Sequence, residues 1–373
     1  MPFTTKQELL EDQAAHPPYG TNLTYPFQRY CRLPQSSGTA GVPLRWLDTP
    51  ESWDWFLVCW QTIYDTIGLK PTDRLFFPFS FGPFLGFWGA FESAARRGNL
   101  CLPGGGMTTV ARLRFMLDNR ATVVACTPTY ALRLAEAAEE EALDLASSPV
   151  RAIIVAGEPG GNIPATRARI ESSFGVRVFD HTGMTEIGAM GIECIPNPGG
   201  VHLIETECIA EVIDPHSTEP LAQGEQGELV LTNLGRWGSP LIRYRTGDLV
   251  RVDAHACTCG RPWTRLIGGI LGRVDDMVII RGNNLHPAAM EELMRGIPDV
   301  GEYSCTVRAS GPMNSLEVEV EPAAACRMSG ASLAKQVSHA SQDRFHFRAK
   351  VAAVARASLP RFEIKSRRFV RSG

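Results

Sequence analysis

The sequence lacks any long apolar run and any strong excess of charge of one sign. No stretch approaches the ~18 consecutive apolar residues of a membrane-spanning helix. The formal net charge is only −3, so the chain has no global basic field that would attract nucleic acid or an anionic lipid surface. We therefore expect a protein whose partners are neither nucleic acid nor membrane.

The first residues also lack the basic start and apolar continuation of a secretion signal, because residues 1–13 are polar and acidic. This pattern leads us to expect a cytoplasmic protein. The chain has ten cysteines, and thiols stay reduced in that compartment. We predict that the cysteines are core residues or metal ligands rather than disulfides.

Internal repeats and low-complexity tracts are absent as well, and a hydrophobic content of 44% is ordinary for a globular protein. The 373 residues are enough for two or three domains. Short apolar strands alternate with amphipathic helices from about residue 52 to residue 156. This alternation predicts a mostly parallel sheet covered by helices on both faces.

Two changes of pattern divide the rest of the chain. Strands dominate at about residues 192–271, which predicts a β-rich subdomain beside the α/β body. After residue 274 helices and strands alternate again to the end of the chain. We predict an α/β protein with a large N-terminal domain, residues 1–274, and a small, mobile α+β lid domain, residues 275–373.

One short loop, residues 36–43, is rich in hydroxyl groups and glycine. Its backbone can approach an anion closely while hydroxyls and free N–H groups donate to it, which suits phosphate. It is not a Walker loop, because Val42 and Pro43 stand where that motif needs a lysine and a hydroxyl. Taken alone, the loop is equally a surface turn. The candidate phosphate donors are Ser36, Ser37, Gly38, Thr39 and Gly41.

Four further stretches favour the phosphate interpretation when they are taken together. They are HTGMTEIG at 181–188, YRTGDL at 244–249, LGRVDD at 271–276, and Lys365 within RFEIKSRR at 361–368. In order and approximate spacing they resemble the core motifs of the adenylate-forming superfamily of acyl-CoA synthetases and adenylation domains. Within it the chain is most similar to the phenylacetate–CoA ligase group, through TPTY at 127–130, AGEP at 156–159, CTCGR at 257–261 and IIRGNN at 279–284.

The resemblance implies activation of a small-molecule carboxylate by ATP and Mg²⁺, followed by transfer to coenzyme A. Such a reaction needs phosphate donors, a magnesium ligand, a ribose clamp and a cation for the developing charge. Glu186, beside the Thr185 hydroxyl, is a hard oxygen ligand suited to Mg²⁺. Asp248 can accept both ribose hydroxyls, with help from Arg273. The alternatives are a solvated loop glutamate for Glu186 and an Asx turn for Asp248.

Lys365 lies so far along the chain that it reaches the phosphates only if the C-terminal domain folds over the cleft. The resemblance implies that Lys365 orients the carboxylate and the α-phosphate, and that the lid then rotates about the hinge residue Asp275. A lysine suits a mobile point charge that contacts several oxygens. The alternative is a solvated basic face shared with Arg367, Arg368 and Arg371.

The resemblance also assigns a substrate pocket and further nucleotide contacts. An aromatic wall suits a flat aryl or arylacetyl group, but its phenylalanines stand where the related ligases carry tyrosines, and a purely structural role is equally open. The pocket residues are Phe79, Phe81, Gly82, Phe84, Tyr130 and Gly157. The further nucleotide-binding residues are Glu158, Pro159, Asp180, His181, Thr182, Gly183 and Met184.

A second set of residues has the composition of a zinc site. Cys194, His202, Cys257 and Cys259 supply three thiols and one imidazole, which satisfies tetrahedral zinc if the segments converge. The spacing alone is weak evidence, and the match to a zinc-binding subset of the same ligase group strengthens it. Four protein ligands leave no open position, so we expect a structural zinc that fastens the loop after Glu186 to the β-rich subdomain.

Two departures from the family pattern leave alternatives open. Ala40 and Val42 stand where the family usually has threonine and lysine, which predicts weaker phosphate binding. Family members also usually have several dozen residues before the segment that matches residues 2–6. The alternative functions are transfer of the acyl group to a carrier-protein thiol or an amine, and a degenerate nucleotide- or acyl-binding protein without catalysis. A homodimer is a further expectation.

Overall fold

A computed structural model describes residues 1–36, 42–310 and 313–372 of the chain. Four of the predicted phosphate donors, Ser37, Gly38, Thr39 and Gly41, lie outside the described residues, as does Ala40. The helices are α1 Lys6–Ala15, α2 Pro50–Thr66, α3 Leu85–Arg96, α4 Thr109–Asp118, α5 Pro128–Glu140, α6 Pro164–Phe174, α7 Pro287–Gly296 and α8 Gly330–Phe345.

The strands form four sheets within the described ranges. They are β1 Arg74–Phe77, β2 Leu100–Pro103, β3 Val123–Cys126, β4 Ala152–Val155, β5 Arg177–Met184, β6 Gly188–Glu193, β7 Gly200–Leu203, β8 Cys208–Ile213, β9 Gln226–Asn233, β10 Tyr244–Arg251, β11 Arg265–Ile267, β12 Gly272–Arg273, β13 Val278–Ile280, β14 Asn283–Leu285, β15 Val300–Ser310, β16 Met313–Pro322, β17 Lys350–Ala353 and β18 Phe369–Ser372.

Threonine caps set the starts of the helices that carry site residues. The side chains of Thr49, Thr108 and Thr127 accept hydrogen bonds from backbone N–H groups in the first turns of α2, α4 and α5. Thr5 forms a reciprocal capping box with Glu8 at the start of α1. Helix α1 therefore begins at a defined residue, Lys6, and α5 begins two residues before Tyr130.

The largest sheet has the strand order β11-β7-β6-β5-β4-β3-β1-β2. Strands β1 to β5 pair in parallel, as the alternation of strands and helices predicts. Strands β5, β6, β7 and β11 pair antiparallel, an edge that the sequence did not predict. The reason is the short 185–187 connection between β5 and β6, which permits only a hairpin.

Separate apolar clusters cover the two faces of this sheet, which confirms that helices pack on both sides. Phe77 and Ile154 belong to the cluster that includes α2 and α3, whereas Phe76 and Ile153 belong to the cluster that includes α4 and α5. Neighbouring residues on one strand point to opposite faces, so each buried strand contributes to both clusters.

The β-rich part of the body is the antiparallel sheet β12-β10-β9-β8. Its register places Asp248 of β10 opposite Arg273 of β12. The N-terminal segment attaches to the same strand, because Thr4 N–H donates to Arg243 O (3.0 Å) and Arg245 N–H donates to Thr4 O (2.9 Å). Helix α1 is thus fixed next to strand β10, which carries Asp248.

The C-terminal part has its own core. All residues of a third apolar cluster lie at or after Val278, and they pack α7 and α8 on the sheet β17-β16-β15-β18. Arg169 of α6 holds this part on the body by donating to the backbone oxygens of Arg295, Ile297 and Val300. The fold is a large α/β domain with a small C-terminal domain, as predicted, while the boundary between residues 274 and 275 stays a prediction.

None of the helices in the described ranges has the length and the apolar character that crossing a bilayer requires.

Candidate active site

Lys365 lies at the contact between the C-terminal domain and the body. Its stem passes over Gly157, where an added Cβ would stand 3.6 Å from Lys365 Cε. The protein atoms around the ammonium desolvate it and lower its pKa, although the residue keeps exposure on one side. The carboxylates of Glu158, Glu186 and Asp248 oppose that shift of the pKa. The structure therefore places Lys365 against Gly157 of the body, where the charges of three predicted site residues act on its ammonium.

Glu186 occupies the turn between β5 and β6 and is only 4% exposed. Its Oε1 lies 3.1 Å from Nζ of Lys6, the first residue of α1. A carboxylate oxygen in a turn between strands is the type of ligand that Mg²⁺ prefers, although Lys6 neutralises this one in the structure. This position fits the predicted magnesium ligand, and the contact with Lys6 was not predicted from the sequence.

A buried ion pair fixes the backbone of that turn. Arg236 Nη1 donates to the carbonyl oxygens of Thr185 and Glu186, the latter at 3.0 Å. The same guanidinium forms a two-pronged pair with Asp48, with both N–O distances 2.7 Å and both side chains 2% exposed. Such a fork holds a fixed geometry. Arg236 and Asp48 therefore position Thr185 and Glu186, and neither was singled out in the sequence.

Asp248 and Arg273 meet as their strand register requires, with Arg273 Nη1 3.3 Å from Asp248 Oδ1. Burial raises the pKa of Asp248 to about 7, and the Arg273 charge opposes part of that shift. Arg273 Nε also donates to Asp275 Oδ1 at 2.9 Å. The predicted ribose clamp is thus tied directly to the predicted hinge residue.

Glu158 joins the segment that carries Lys365 to the body. Its Oε2 accepts hydrogen bonds from the backbone N–H (2.7 Å) and the hydroxyl (2.9 Å) of Ser366. Its Oε1 accepts from the N–H of Thr129 in α5. The neighbouring Arg368 donates to Thr129 Oγ1 and pairs with Glu302 of the C-terminal domain. Glu158 therefore anchors the segment of Lys365 in this arrangement.

The predicted aromatic wall consists of rings packed on one another. The rings of Phe79 and Phe87 stack with centroids 3.8 Å apart, and Phe81 meets Phe79 edge-on at 5.4 Å. Phe84 packs against Phe87, beside the exposed Gly82. Phe79 is buried in the body cluster, so it also serves as a core residue. The pocket role of these rings stays a prediction.

Tyr130 is buried, and its hydroxyl accepts a hydrogen bond of 2.7 Å from Arg112 of α4. Arg112 is a further charged residue near the site that the sequence motifs did not reveal. Its side chain is 2% exposed, and it also contacts the C-terminal domain through Glu363. No local sequence pattern distinguishes it from the other arginines of the chain.

Asp180 and His181 make their contacts with residues of the body. Burial raises the pKa of Asp180 to about 7, and its carboxylate bonds to Asn162. Burial lowers the pKa of His181 to about 4, and its ring packs against Trp60 at 4.6 Å. Gly183 lies in the β5–β6 hairpin, where an added Cβ would stand 2.7 Å from a carbonyl oxygen. Roles in nucleotide binding for Asp180, His181, Thr182, Gly183, Met184 and Pro159 stay predictions.

Ser36 is the one predicted phosphate donor within the described residues. Its N–H donates to Leu44 O and its hydroxyl accepts from Leu44 N, both at 2.9 Å. These bonds close the base of the loop. Val42, where the family usually has lysine, is 72% exposed.

The predicted zinc ligands converge. The ligand atoms of Cys194, His202, Cys257 and Cys259 all lie within 4.8 Å of one another. Nδ1 of His202 lies 3.2 Å from the carbonyl oxygen of Trp263, which leaves Nε2 facing Cys259 Sγ at 3.5 Å. Second-sphere carbonyl contacts of this kind orient histidine ligands. Three thiols and an oriented imidazole fit tetrahedral Zn²⁺.

Two family models match the chain. Residues 35–235 match the AMP-binding enzyme model, and residues 282–372 match the AMP-binding enzyme C-terminal domain. The chain is 34% identical to the phenylacetate-coenzyme A ligase of Thermus thermophilus, over 86% of this chain and 71% of that protein. It is 32% identical to the phenylacetate-coenzyme A ligase of Escherichia coli, over 86% of this chain and 72% of that protein.

Solved structures give a similar result. A 2-hydroxyisobutyryl-CoA ligase in the postadenylation state, in complex with 2-HIB-AMP, superposes with a TM-score of 0.94 at 28% identity, covering 100% of this chain and 80% of that one. The same ligase with 2-HIB-AMP and CoA in the thioesterification state gives a TM-score of 0.72 at 29% identity, covering 99% and 80%. The arrangement of the two domains in this chain therefore resembles the postadenylation state.

Proposed function

This chain belongs to the AMP-binding enzymes, as an adenylate-forming ligase of the phenylacetate-CoA ligase type, and from that premise we propose that its carboxylate substrate is an aryl or arylacetic acid. The family reaction is ATP-dependent activation of an acid followed by formation of a CoA thioester. In the first step a carboxylate oxygen attacks the α-phosphorus, the bond to the bridging oxygen breaks, and pyrophosphate leaves. In the second the CoA thiolate attacks the acyl carbon and AMP leaves.

The single observation that carries the residue assignments is the docked position of the Lys365 segment, in which the lysine stem passes over Gly157 and the next residue, Ser366, donates to Glu158. A cation there can offset the charge that develops between the carboxylate and the α-phosphate. Glu186 and the Thr185 hydroxyl are the hard oxygen donors that would hold Mg²⁺, which when bound offsets the phosphate charge. Asp248 would accept the ribose hydroxyls, with Arg273 holding its carboxylate in place.

The aromatic substrate class rests on the ring cluster and on the family relatives. The contacts of Phe79, Phe81 and Phe84 are with other aromatic side chains, which favours apolar and stacking contacts with an acyl group. We assign these rings, with Gly82, Tyr130 and Gly157, to the acyl-binding side of the cleft.

A screen of ATP–pyrophosphate exchange tests this function. The protein is supplied with ATP, Mg²⁺ and, one at a time, benzoates, phenylacetates and short aliphatic acids, and the exchange rate is measured. We expect the highest kcat/KM with an aromatic acid. A clear preference for a short aliphatic acid would overturn the substrate class, and no exchange with any acid would overturn catalysis itself. Acyl transfer to CoA or to a carrier-protein thiol, each giving a thioester, and to an amine, giving an amide, then compares the acceptors.

We also propose that Cys194, His202, Cys257 and Cys259 hold a structural Zn²⁺. The support is the convergence of the four ligand atoms and the oriented imidazole of His202. All four positions around a tetrahedral ion would be filled by protein, so the ion would stabilise and not react. It would join the strand after Glu186 to the segment around Cys257.

The rest of the proposal concerns the cellular compartment, the oligomeric state and the division into domains. We place it in the cytoplasm, where ATP and CoA are available and thiols stay reduced. We retain the homodimer as a prediction, which light scattering on the purified protein tests. We also retain the domain boundary at residue 274 and the hinge at Asp275, whose side chain is bonded to Arg273.

A further inference from the structure

Arg112 of α4 connects Tyr130, which we assign to the acyl-binding side, to the segment that carries Lys365. Its Nε donates to Gly104 O at 2.8 Å, and its Nη1 donates both to the Tyr130 hydroxyl (2.7 Å) and to Glu363 Oε2 (3.0 Å). Glu363 lies two residues before Lys365. We propose that Arg112 and Glu363 form a positioning pair that places Lys365 for the adenylation half-reaction.

In the docked arrangement Arg112 is buried, and Glu363 supplies its carboxylate partner. The Arg112 side chain is 2% exposed, whereas Glu363 is 56% exposed. A buried guanidinium that loses its carboxylate keeps the cost of its desolvation without the compensating charge. The docked position of residue 363 is therefore favoured by the need to pair Arg112, and Lys365 is carried to its place with it.

Further contacts fix the segment on either side of Lys365. Upstream, Arg361 donates through Nη2 to Glu136 Oε1 of α5 at 2.7 Å and to Glu321 Oε2 of the C-terminal domain at 2.7 Å. Downstream, Ser366 is held by Glu158. Of these contacts, the one at Glu363 leads to the acyl side, because the same nitrogen of Arg112 bonds to Tyr130. The pair thus links the position of the catalytic lysine to a residue assigned to the substrate pocket.

The pair is expected to act in one half-reaction only. The domain arrangement of this chain resembles the postadenylation state of 2-hydroxyisobutyryl-CoA ligase far more than its thioesterification state, with TM-scores of 0.94 and 0.72. A C-terminal domain that rotates between the two steps would carry Glu363 away from Arg112. This inference rests on the proposed function, since it assumes two half-reactions and a catalytic Lys365.

The test separates the two half-reactions in the variant Glu363→Gln. Because Glu363 is largely exposed, the variant should fold normally, which thermal unfolding checks. Pyrophosphate exchange measures the first half-reaction, and CoA thioester formation from a supplied acyl-adenylate measures the second. The matched control is Glu141→Gln, since Glu141 accepts a 2.8 Å hydrogen bond from Arg114 on the same helix α4 at an exposed position.

We expect Glu363→Gln to slow exchange about tenfold or more while thioester formation from the adenylate changes less than about twofold. Glu141→Gln should leave both rates unchanged. Arg112→Lys, which keeps the charge but loses the planar fork, should show the same split between the half-reactions.

Equal losses in both half-reactions, or an unchanged exchange rate in Glu363→Gln, would overturn the positioning role. Those results are distinct from failure of the proposed function, in which the unsubstituted protein itself would show no exchange with any acid.

Discussion

Nζ of Lys6 lies 3.1 Å from Oε1 of Glu186. This contact joins the first residue of the N-terminal helix to the carboxylate that we assign to Mg²⁺. Because a bound Mg²⁺ and the Lys6 ammonium would both be attracted to this one buried carboxylate, the two cations would compete for it. The capping box at Thr5 and the pairing of Thr4 with Tyr244 hold Lys6 in that position.

Replacement of Lys6 by methionine tests this competition. The variant keeps the aliphatic stem but removes the charge, so Glu186 loses its partner and should bind Mg²⁺ more readily. We expect the Mg²⁺ concentration for half-maximal pyrophosphate exchange to fall about threefold to fivefold, since an ion pair of this kind is worth up to about 1 kcal/mol. Lys335→Met, an exposed lysine of α8, is the control. An increased Mg²⁺ requirement would contradict competition and show that the ammonium assists metal binding.

Replacement of Lys365 by alanine should act on adenylation. The charge that Lys365 places among Glu158, Glu186 and Asp248 would be missing when negative charge develops at the α-phosphate. We expect the exchange rate to fall about 100-fold, while thioester formation from a supplied acyl-adenylate is retained. The exposed neighbour Arg367→Ala is the control. Unchanged exchange in Lys365→Ala would show that the lysine has no catalytic part.

The raised pKa of Asp248, about 7, predicts a pH dependence of ATP use. Below that pH the carboxyl group is protonated and can no longer accept from both ribose hydroxyls. We expect kcat/KM for ATP to fall as the pH drops below about 7, in a profile recorded from pH 5.5 to 9. Arg273 lowers this pKa, so Arg273→Met should move the acidic limb to higher pH. If the acidic limb of the kcat/KM profile does not move in Arg273→Met, a group other than Asp248 causes it.

The sequence motifs singled out the residues that we assign to the site, but not the residues that hold them in place. Glu186, Asp248 and Lys365 stand in motifs with a fixed order, so their meeting follows from the family pattern. Arg112 and Arg236 have no such motif, because their roles depend on partners far along the chain, Glu363 and Asp48. Only the folded chain identifies which arginine is buried against which carboxylate.

In the fold, too, some features were predicted from the sequence and others were not. Alternating strands and helices predicted the parallel strands and the two covered faces, since both follow from local periodicity. The antiparallel edge escaped prediction because it depends on the tight 185–187 turn and on β11, which returns from the β-rich part to pair with β7. Of the predicted nucleotide contacts, His181 lies on a buried strand position, which a motif alone does not reveal.

Removal of the proposed zinc should destabilise the body without changing the chemistry of the cleft. The four ligands lie directly after β6, on β7 and in the segment around Cys257 and Cys259, so the ion would close a long loop of the chain. We expect about one equivalent of zinc in the purified protein. The Cys257→Ser variant should contain less metal and have a Tm lower by several degrees, as expected for loss of a structural metal site.

Cys326→Ser is the control, because Cys326 is a cysteine of the C-terminal domain outside the cluster, and this variant should retain both the metal and the Tm. The remaining folded fraction of Cys257→Ser should keep its KM for ATP, because Glu186 is held by Arg236 and not by the cluster. Two results together would contradict the zinc site: less than about half an equivalent of zinc in the purified protein, and no change of Tm on treatment with a chelator. The four side chains would then be three reduced thiols packed around a buried histidine.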